Sequence, residues 1–143
     1  KNIAETAINQ VQATANNKKV KLTLETTGNY SIKADKDSLI QMLVIFLDNA
    51  IKYSSSKTAV NICIDKSPKT TSIEIIDHGR GIKEEDLVHV FDRFYRANNA
   101  RVGTGGFGLG LSIAKLIADL HQANITISSQ LKHGTTVKVD FTN

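Results

Sequence analysis

Apolar residues recur at helical spacing near the start of the chain, with Ile3, Ala7, Ile8, Val11 and Ala15 marking one face of a helix over residues 2–17. The polar run "NNKK" ends it. The stretch "VKLTLET" then alternates Val20, Leu22 and Leu24 with Lys21 and Thr23, the period of a half-buried strand. A turn at Gly28–Asn29 predicts a second short strand over Tyr30–Lys33. Asp37 or Ser38 is placed to cap the next helix, which runs to Tyr53. Its interior "LIQMLVIFL" is apolar on nearly every side, so it belongs at the centre of a core. The last turns become abruptly polar at Asp48, Asn49 and Lys52.

Two strands follow, Ala59–Asp65 and Thr71–Asp77, read as an antiparallel hairpin around a loop holding Pro68. "GRGIKEEDL" reads as a loop and Leu87–Phe94 as a short helix. The polar, glycine-ending "YRANNARVGTGG" reads as a mobile loop. Phe107–His121 forms a long helix with Leu109, Ile113, Leu116, Ile117 and Leu120 on one face, and strands over Asn124–Ser128 and Thr135–Phe141 close the chain. Adjacent strand pairs exclude a regular alternating βαβ sheet. They predict an α/β (α+β) two-layer sandwich, a mixed β-sheet with about three helices packed on one face. A helical pattern already under way at Lys1 predicts that residues 1–17 continue from an upstream element.

At 143 residues, 41% hydrophobic and 22% charged, the chain has the size and composition of one ordinary domain, 1–143. Cys63 is its only cysteine, which rules out an internal disulfide and fits a reducing compartment. A net charge of +4 suits an anionic ligand such as a nucleotide; the scattered lysines give no basic patch for nucleic acid. No signal peptide and no apolar run of transmembrane length are evident.

The stretch "GTGGFGLGLSIAK", Gly103–Lys115, carries the most chemistry. Five glycines in eight residues let backbone approach an oxyanion closely, and the helix that follows offers free N–H groups and a partial positive charge. Gly108, Leu109 and Gly110 stand at that junction, so their amides are the best donors to a polyphosphate. The dinucleotide form of G-x-G-x-x-G needs a strand directly before it and an acid about 20 residues on; a polar loop precedes it here and Asp119 is too near. The P-loop needs Gly-Lys-Ser/Thr, which is missing. The protein-kinase loop needs downstream signatures that are also missing.

Four islands in order, "FLDNAIKYS" (46–54), "DHGRG" (77–81), "VFDRFYR" (90–96) and "GGFGLGLSIAK" (105–115), resemble the N box, first glycine box, F box and second glycine box of the catalytic ATP-binding domain of sensor histidine kinases. "HGTT" (133–136) resembles the short third glycine motif. This Bergerat-type fold is shared with gyrase, Hsp90 and MutL, and the resemblance spans nearly the whole chain.

It implies that Asn49 ligates Mg²⁺, that Lys52 and Tyr53 face the phosphates or ribose, and that Asp77 accepts from the adenine amino group. Gly79, Gly81 and Ile82 would let the base lie close, Gly106, Gly108, Leu109, Gly110 and Leu111 would cradle phosphate, and Thr135 would hold a water beside Asp77. Arg96 would stabilise charge on the transferring phosphoryl group, and 97–105 would be a lid closing on ATP. Read alone, Asn49 also fits a helix-end hydrogen bond to backbone and Asp77 a turn aspartate before "GIKEEDL". The roles of Arg93 and Arg101 stay open.

One departure stands out. Where related ATPases carry a glutamate one turn before the metal asparagine, this chain has Ile45, which can neither orient nor deprotonate water. Asp48 points about 100° from Asn49 and is a poor base. After the long helix, "HQAN" replaces the family's glycines, so Asn124 is expected to take the left-handed cap.

His78, His89, His121 and His133 all lack the acidic neighbour and helical setting of a phosphoacceptor. The resemblance therefore implies a protein-histidine kinase catalytic domain in bacterial two-component signal transduction. It would bind ATP with Mg²⁺ and phosphorylate a histidine on a dimerisation domain outside this chain; a response regulator would take the phosphoryl group later. The domain alone is expected to be monomeric and cytoplasmic, its parent a homodimer that can be membrane-anchored. The rivals are a related ATPase, a serine kinase of the same fold, and a nucleotide-binding or docking module without transfer.

Overall fold

The computed structural model describes residues 1–93, Tyr95 and residues 110–143. In chain order the elements are α1 (Asn2–Lys18), β1 (Lys21–Thr26), α2 (Lys36–Tyr53), β2 (Ala59–Lys66), β3 (Thr70–Ile76), α3 (Glu84–Leu87), α4 (Gly110–Leu120), β4 (Asn124–Gln130) and β5 (Gly134–Thr142). The strands form one sheet in the order β1-β2-β3-β5-β4. The β1–β2 pair is parallel and the other three are antiparallel, which makes the sheet mixed.

Helices α1, α2 and α4 cover one face of the sheet. Small residues on α1 (Ala4, Ala7, Ala15, with Val11) let α2 approach closely, and α2 contributes Leu39, Met42, Leu43, Phe46, Leu47 and Ile51 to the core. The sheet answers with Val60, Ile62, Ile64, Ile73, Ile75, Val139 and Phe141, all on one phase of the strand alternation. Phe46 is 1% exposed, and truncating it to alanine is worth roughly 3–5 kcal/mol. The second strand of the hairpin runs on to the end of the sheet at Ile76, and Asp77 follows immediately, so the core places the carboxylate.

Five sequence expectations change. No strand forms over residues 30–33. Tyr30 and Ile32 instead pack against the core, and β1 pairs only with β2. The cap of α2 is Asp35, whose Oδ2 accepts the Ser38 N–H at 2.8 Å; the helix begins at Lys36, so Asp37 already lies in its first turn. The segment after Leu87 is not a helix but successive i→i+3 turns, with amides of His89 and Asp92 bonded to Asp86 and His89 carbonyls.

The inward face of α4 is Ala114, Ile117 and Ala118, whereas Ile113, Leu116 and Leu120 are exposed. The helix is apolar on more than one face, and its alanines allow the closer approach to α2. Gln122 (φ 53°), not Asn124, takes the left-handed position: the Ala123 amide reaches back to the Ala118 carbonyl at 2.9 Å, and Asn124 already pairs with Asp140 in β4. Among the described residues no helix is long and apolar enough to cross a membrane.

Candidate functional site

Four separate segments meet beside the C-terminal half of α2. Asn49 and Tyr53 lie four residues apart, and Ile45 one turn before Asn49, so the three share a helix face. Asn49 is half-buried while Asp48 is exposed, as expected if only the asparagine faces the site. Ser54 closes the helix: it is buried, and its amide and hydroxyl both donate to the Ala50 carbonyl, at 3.0 and 2.6 Å.

The first glycine box lies directly on this helix end. A Cβ on Gly79 would come within 2.1 Å of the Tyr53 carbonyl oxygen, so only glycine lets the loop descend that far. The Arg80 amide donates to the same carbonyl at 3.4 Å. Gly81 has φ +72°, and a Cβ there would meet the Gln130 carbonyl at 2.2 Å. The loop is thus clamped between α2 on one side and the β4–β5 hairpin on the other.

Asp77 is 8% exposed. Its Oδ1 accepts the Gly79 N–H at 2.9 Å and the Thr135 N–H at 3.2 Å, while its own amide donates to the Thr135 carbonyl at 2.9 Å. Burial pushes its carboxyl above the usual range; the two amides and His78 pull the other way without overcoming it. A buried acid this well held, with its pKa raised by burial, is a structural feature and a candidate for a functional role.

The Thr135 hydroxyl pairs with the Ser129 hydroxyl at 2.8 Å. Ile82 contributes its backbone: the Ile82 N–H donates to Ser129 Oγ at 2.7 Å. At the opposite end, a Cβ on Gly110 would lie 3.4 Å from Ile45 Cγ2, which sets the described start of α4 one turn from Asn49. Leu111 follows it, packed against the core. Lys52 is half-buried, its carbonyl accepting the Lys18 ammonium and its own ammonium 5.9 Å from the Tyr53 ring centre.

Asn49, Lys52, Tyr53, Asp77, Gly79, Gly81, Ile82, Gly110, Leu111 and Thr135 therefore fall in one region. Phe94, Arg96, Arg101, Gly106, Gly108, Leu109 and the expected lid lie outside the described residues.

Sequence reasoning missed Ser129, Arg80 and Lys18. Ser129 had a signal: it is polar in the inward phase that Ile125 and Ile127 set along β4. Arg80 sat between two noted glycines, but nothing in the sequence shows that its guanidinium carbon lies 4.6 Å from the Tyr53 ring centre. Lys18, on α1, reaches Lys52 only through the helix pairing, and burial and the nearby Arg80 charge lower its pKa.

Comparison with known proteins gives a consistent picture. Residues 34–142 match the family model described as histidine kinase-, DNA gyrase B-, and HSP90-like ATPase. The signal transduction histidine-protein kinase ArlS of Staphylococcus aureus (strain USA300) is 44% identical over 117 residues, covering 81% of this chain and 26% of that protein. The chain thus spans about a quarter of the length of this curated relative. In fold it is similar to the mycobacterial sensor histidine kinase MprB (TM-score 0.86, 22% identity, 99% of this chain and 92% of that one). It is also similar to a nucleotide-free catalytic domain of histidine kinase ThkA (TM-score 0.85, 20% identity, 99% and 92%).

Proposed function

Because the chain belongs to the histidine kinase-, DNA gyrase B- and HSP90-like ATPase family, in its sensor-kinase branch, we propose that it binds ATP with Mg²⁺ and donates the γ-phosphoryl group to a histidine on a separate dimerisation domain. The observation that carries this reading is the buried Asp77, held by the Gly79 and Thr135 amides at the end of α2 that carries Asn49, Lys52 and Tyr53.

Oδ1 of Asp77 is engaged by two amides, so Oδ2 is the oxygen offered to the 6-amino group of adenine. Guanine would present its O6 there, acceptor against acceptor, which selects adenine. Tyr53 would wall the nucleotide site, and Lys52 would supply positive charge toward the phosphates. In this reading the amides at the start of the glycine-led helix would add the positive end of its dipole toward the phosphates.

Among the described residues no three of His, Cys, Asp and Glu converge on one point, so these residues offer no carboxylate cage for a cation. One amide oxygen from Asn49, completed by phosphate oxygens and water, is the arrangement these residues fit, and Mg²⁺ accepts it. When bound, that ion would neutralise charge on the phosphate oxygens.

In the transfer, a lone pair on the acceptor imidazole forms an N–P bond while the bond from phosphorus to the β–γ bridging oxygen breaks, and its electron pair leaves with ADP. The protein's share is position and charge. By the family resemblance Arg96 adds positive charge at this step. Ile45, half-buried against Gly110, offers water no base, which favours transfer over hydrolysis. A response regulator, a dimeric parent and a membrane anchor belong to the same reading.

Titration calorimetry with ATP and GTP in the presence of Mg²⁺, then incubation with γ-labelled ATP and a separately produced acceptor domain, tests it. Saturable heat with ATP alone and label on the acceptor are expected. No saturable heat overturns the nucleotide reading; steady phosphate release without label transfer replaces kinase with ATPase.

A further inference from the structure

The Arg80 backbone is fixed at both ends. Its amide donates to the Tyr53 carbonyl at 3.4 Å and its carbonyl accepts the Lys132 amide at 2.8 Å. On either side of it, Gly79 is seated on the Tyr53 carbonyl and Gly81 on the Gln130 carbonyl. From this anchored Cα the side chain reaches back over α2, where its guanidinium carbon stands 4.6 Å from the centre of the Tyr53 ring. That is within the range of a cation–π contact, and a planar guanidinium can stack where an ammonium cannot. The lowered pKa of Lys18, caused first by burial and then by the Arg80 charge, agrees that the guanidinium is held at this end of α2.

We propose that Arg80 is a positioning residue of the nucleotide site: anchored between Gly79 and Gly81, it packs on one face of the Tyr53 ring and holds the ring as a wall of the pocket. This rests on the reading of Tyr53 as a nucleotide-facing residue. A tyrosine at a helix end is otherwise free to choose among its χ1 rotamers. Filling one face with a fixed guanidinium removes that freedom before the ligand arrives, so less ordering is left to binding. Arg80 acts through Tyr53 and does not itself touch the nucleotide.

The chain has three tyrosines, Tyr30, Tyr53 and Tyr95, and no tryptophan, so ring-labelled tyrosine NMR reads Tyr53 directly once Tyr53→Phe assigns its signal. In the nucleotide-free protein, Arg80→Ala is expected to shift and broaden the Tyr53 ring signal and leave Tyr30 and Tyr95 in place. Affinity for ATP with Mg²⁺ should fall about two- to thirteenfold, the cost of ordering one side chain that binding must then supply. Arg80→Lys should restore it only in part. In a Tyr53→Leu background Arg80→Ala should change affinity no further.

An unmoved Tyr53 signal, or an equal loss of affinity in the Tyr53→Leu background, overturns the proposal while ATP binding by the wild type upholds the site. A wild-type chain that binds no ATP overturns the site reading and this proposal together. A thermal melt of each variant confirms that it folds.

Discussion

Asp77 and Thr135 hold each other twice: the Asp77 amide donates to the Thr135 carbonyl at 2.9 Å, and the Thr135 amide donates to Asp77 Oδ1 at 3.2 Å. They are 58 residues apart, so the end of β3 and the start of β5 are locked where the carboxylate must be aimed. The Asp77→Asn variant tests what that carboxylate does. An amide oxygen can still receive both N–H groups, but on the proposed reading an NH₂ would then face the adenine amino group. Loss of a charged hydrogen bond worth about 1.5–3 kcal/mol predicts ATP binding roughly ten- to 150-fold weaker, read by calorimetry.

The same variant has a pH signature. Burial holds the Asp77 carboxyl above its usual 3.8, so the folded chain binds that proton more tightly than the unfolded one. Its stabilising contribution is fully present below 3.8 and is lost as pH rises through the raised value. Asparagine does not titrate. Relative to Asp77→Asn, the wild type should lose stability as pH rises from 3.8 through that window, and the difference should then level off. Urea midpoints at a series of pH values measure this; a wild type that gains on the variant as pH rises would show the carboxylate to be stabilising.

Gly79→Ala should damage the loop more than its chemistry suggests. The added methyl would sit 2.1 Å from the Tyr53 carbonyl oxygen, and backbone cannot yield as a flexible side chain does. Overpacking of this kind costs about 1–3 kcal/mol, and the displaced loop carries Arg80 away from Tyr53. A lower urea midpoint together with weakened ATP binding is expected. If stability and affinity both match the wild type, the loop does not depend on this approach.

Much of this was legible beforehand, for identifiable reasons. The α2 helix announced its boundary at Tyr53 because a fully apolar run turns polar only where it leaves the core. The paired strands β2 and β3 declared themselves by alternation on either side of Pro68. Local pattern failed where tertiary contacts decide. Tyr30 and Ile32 alternate like a strand yet face the core without a ladder partner, and α4 carries more apolar residues than one face can bury. The site was legible as separate boxes, because glycines and polar residues interrupt apolar periodicity. Its connections were not: the Arg80 contact with the Tyr53 ring and the Ser129 link between Ile82 and Thr135 join residues 27 and 53 positions apart.

Ser129→Ala removes that second link. Ser129 Oγ accepts the Ile82 amide at 2.7 Å, pairs with the Thr135 hydroxyl at 2.8 Å and donates to the Gly134 carbonyl at 3.0 Å. Alanine leaves a partly buried N–H without its acceptor, at a cost of about 1–3 kcal/mol. Hydrogen exchange should show the Ile82 amide losing protection while strand β2 keeps its own. Unchanged protection at Ile82 would mean that water substitutes fully for the hydroxyl.

On the proposed reading, Ile45 tips the balance between transfer and hydrolysis. It stands one turn before Asn49 on the same face of α2, with Cγ2 3.4 Å from the position a Gly110 Cβ would take. A glutamate there would place a carboxylate between the asparagine and the start of α4, where a water could be oriented toward phosphate. Ile45→Glu is therefore expected to raise phosphate release from ATP by about a hundredfold, the low end of general-base effects, and to reduce label transfer to an acceptor histidine. Burying part of that carboxylate and losing the isoleucine packing should lower stability by about 1–3 kcal/mol, visible as a lower thermal midpoint. Phosphate release and label transfer measured on the same preparation separate these effects. A folded, ATP-binding Ile45→Glu chain that hydrolyses no faster than the wild type would show that the isoleucine is not what withholds water from the reaction.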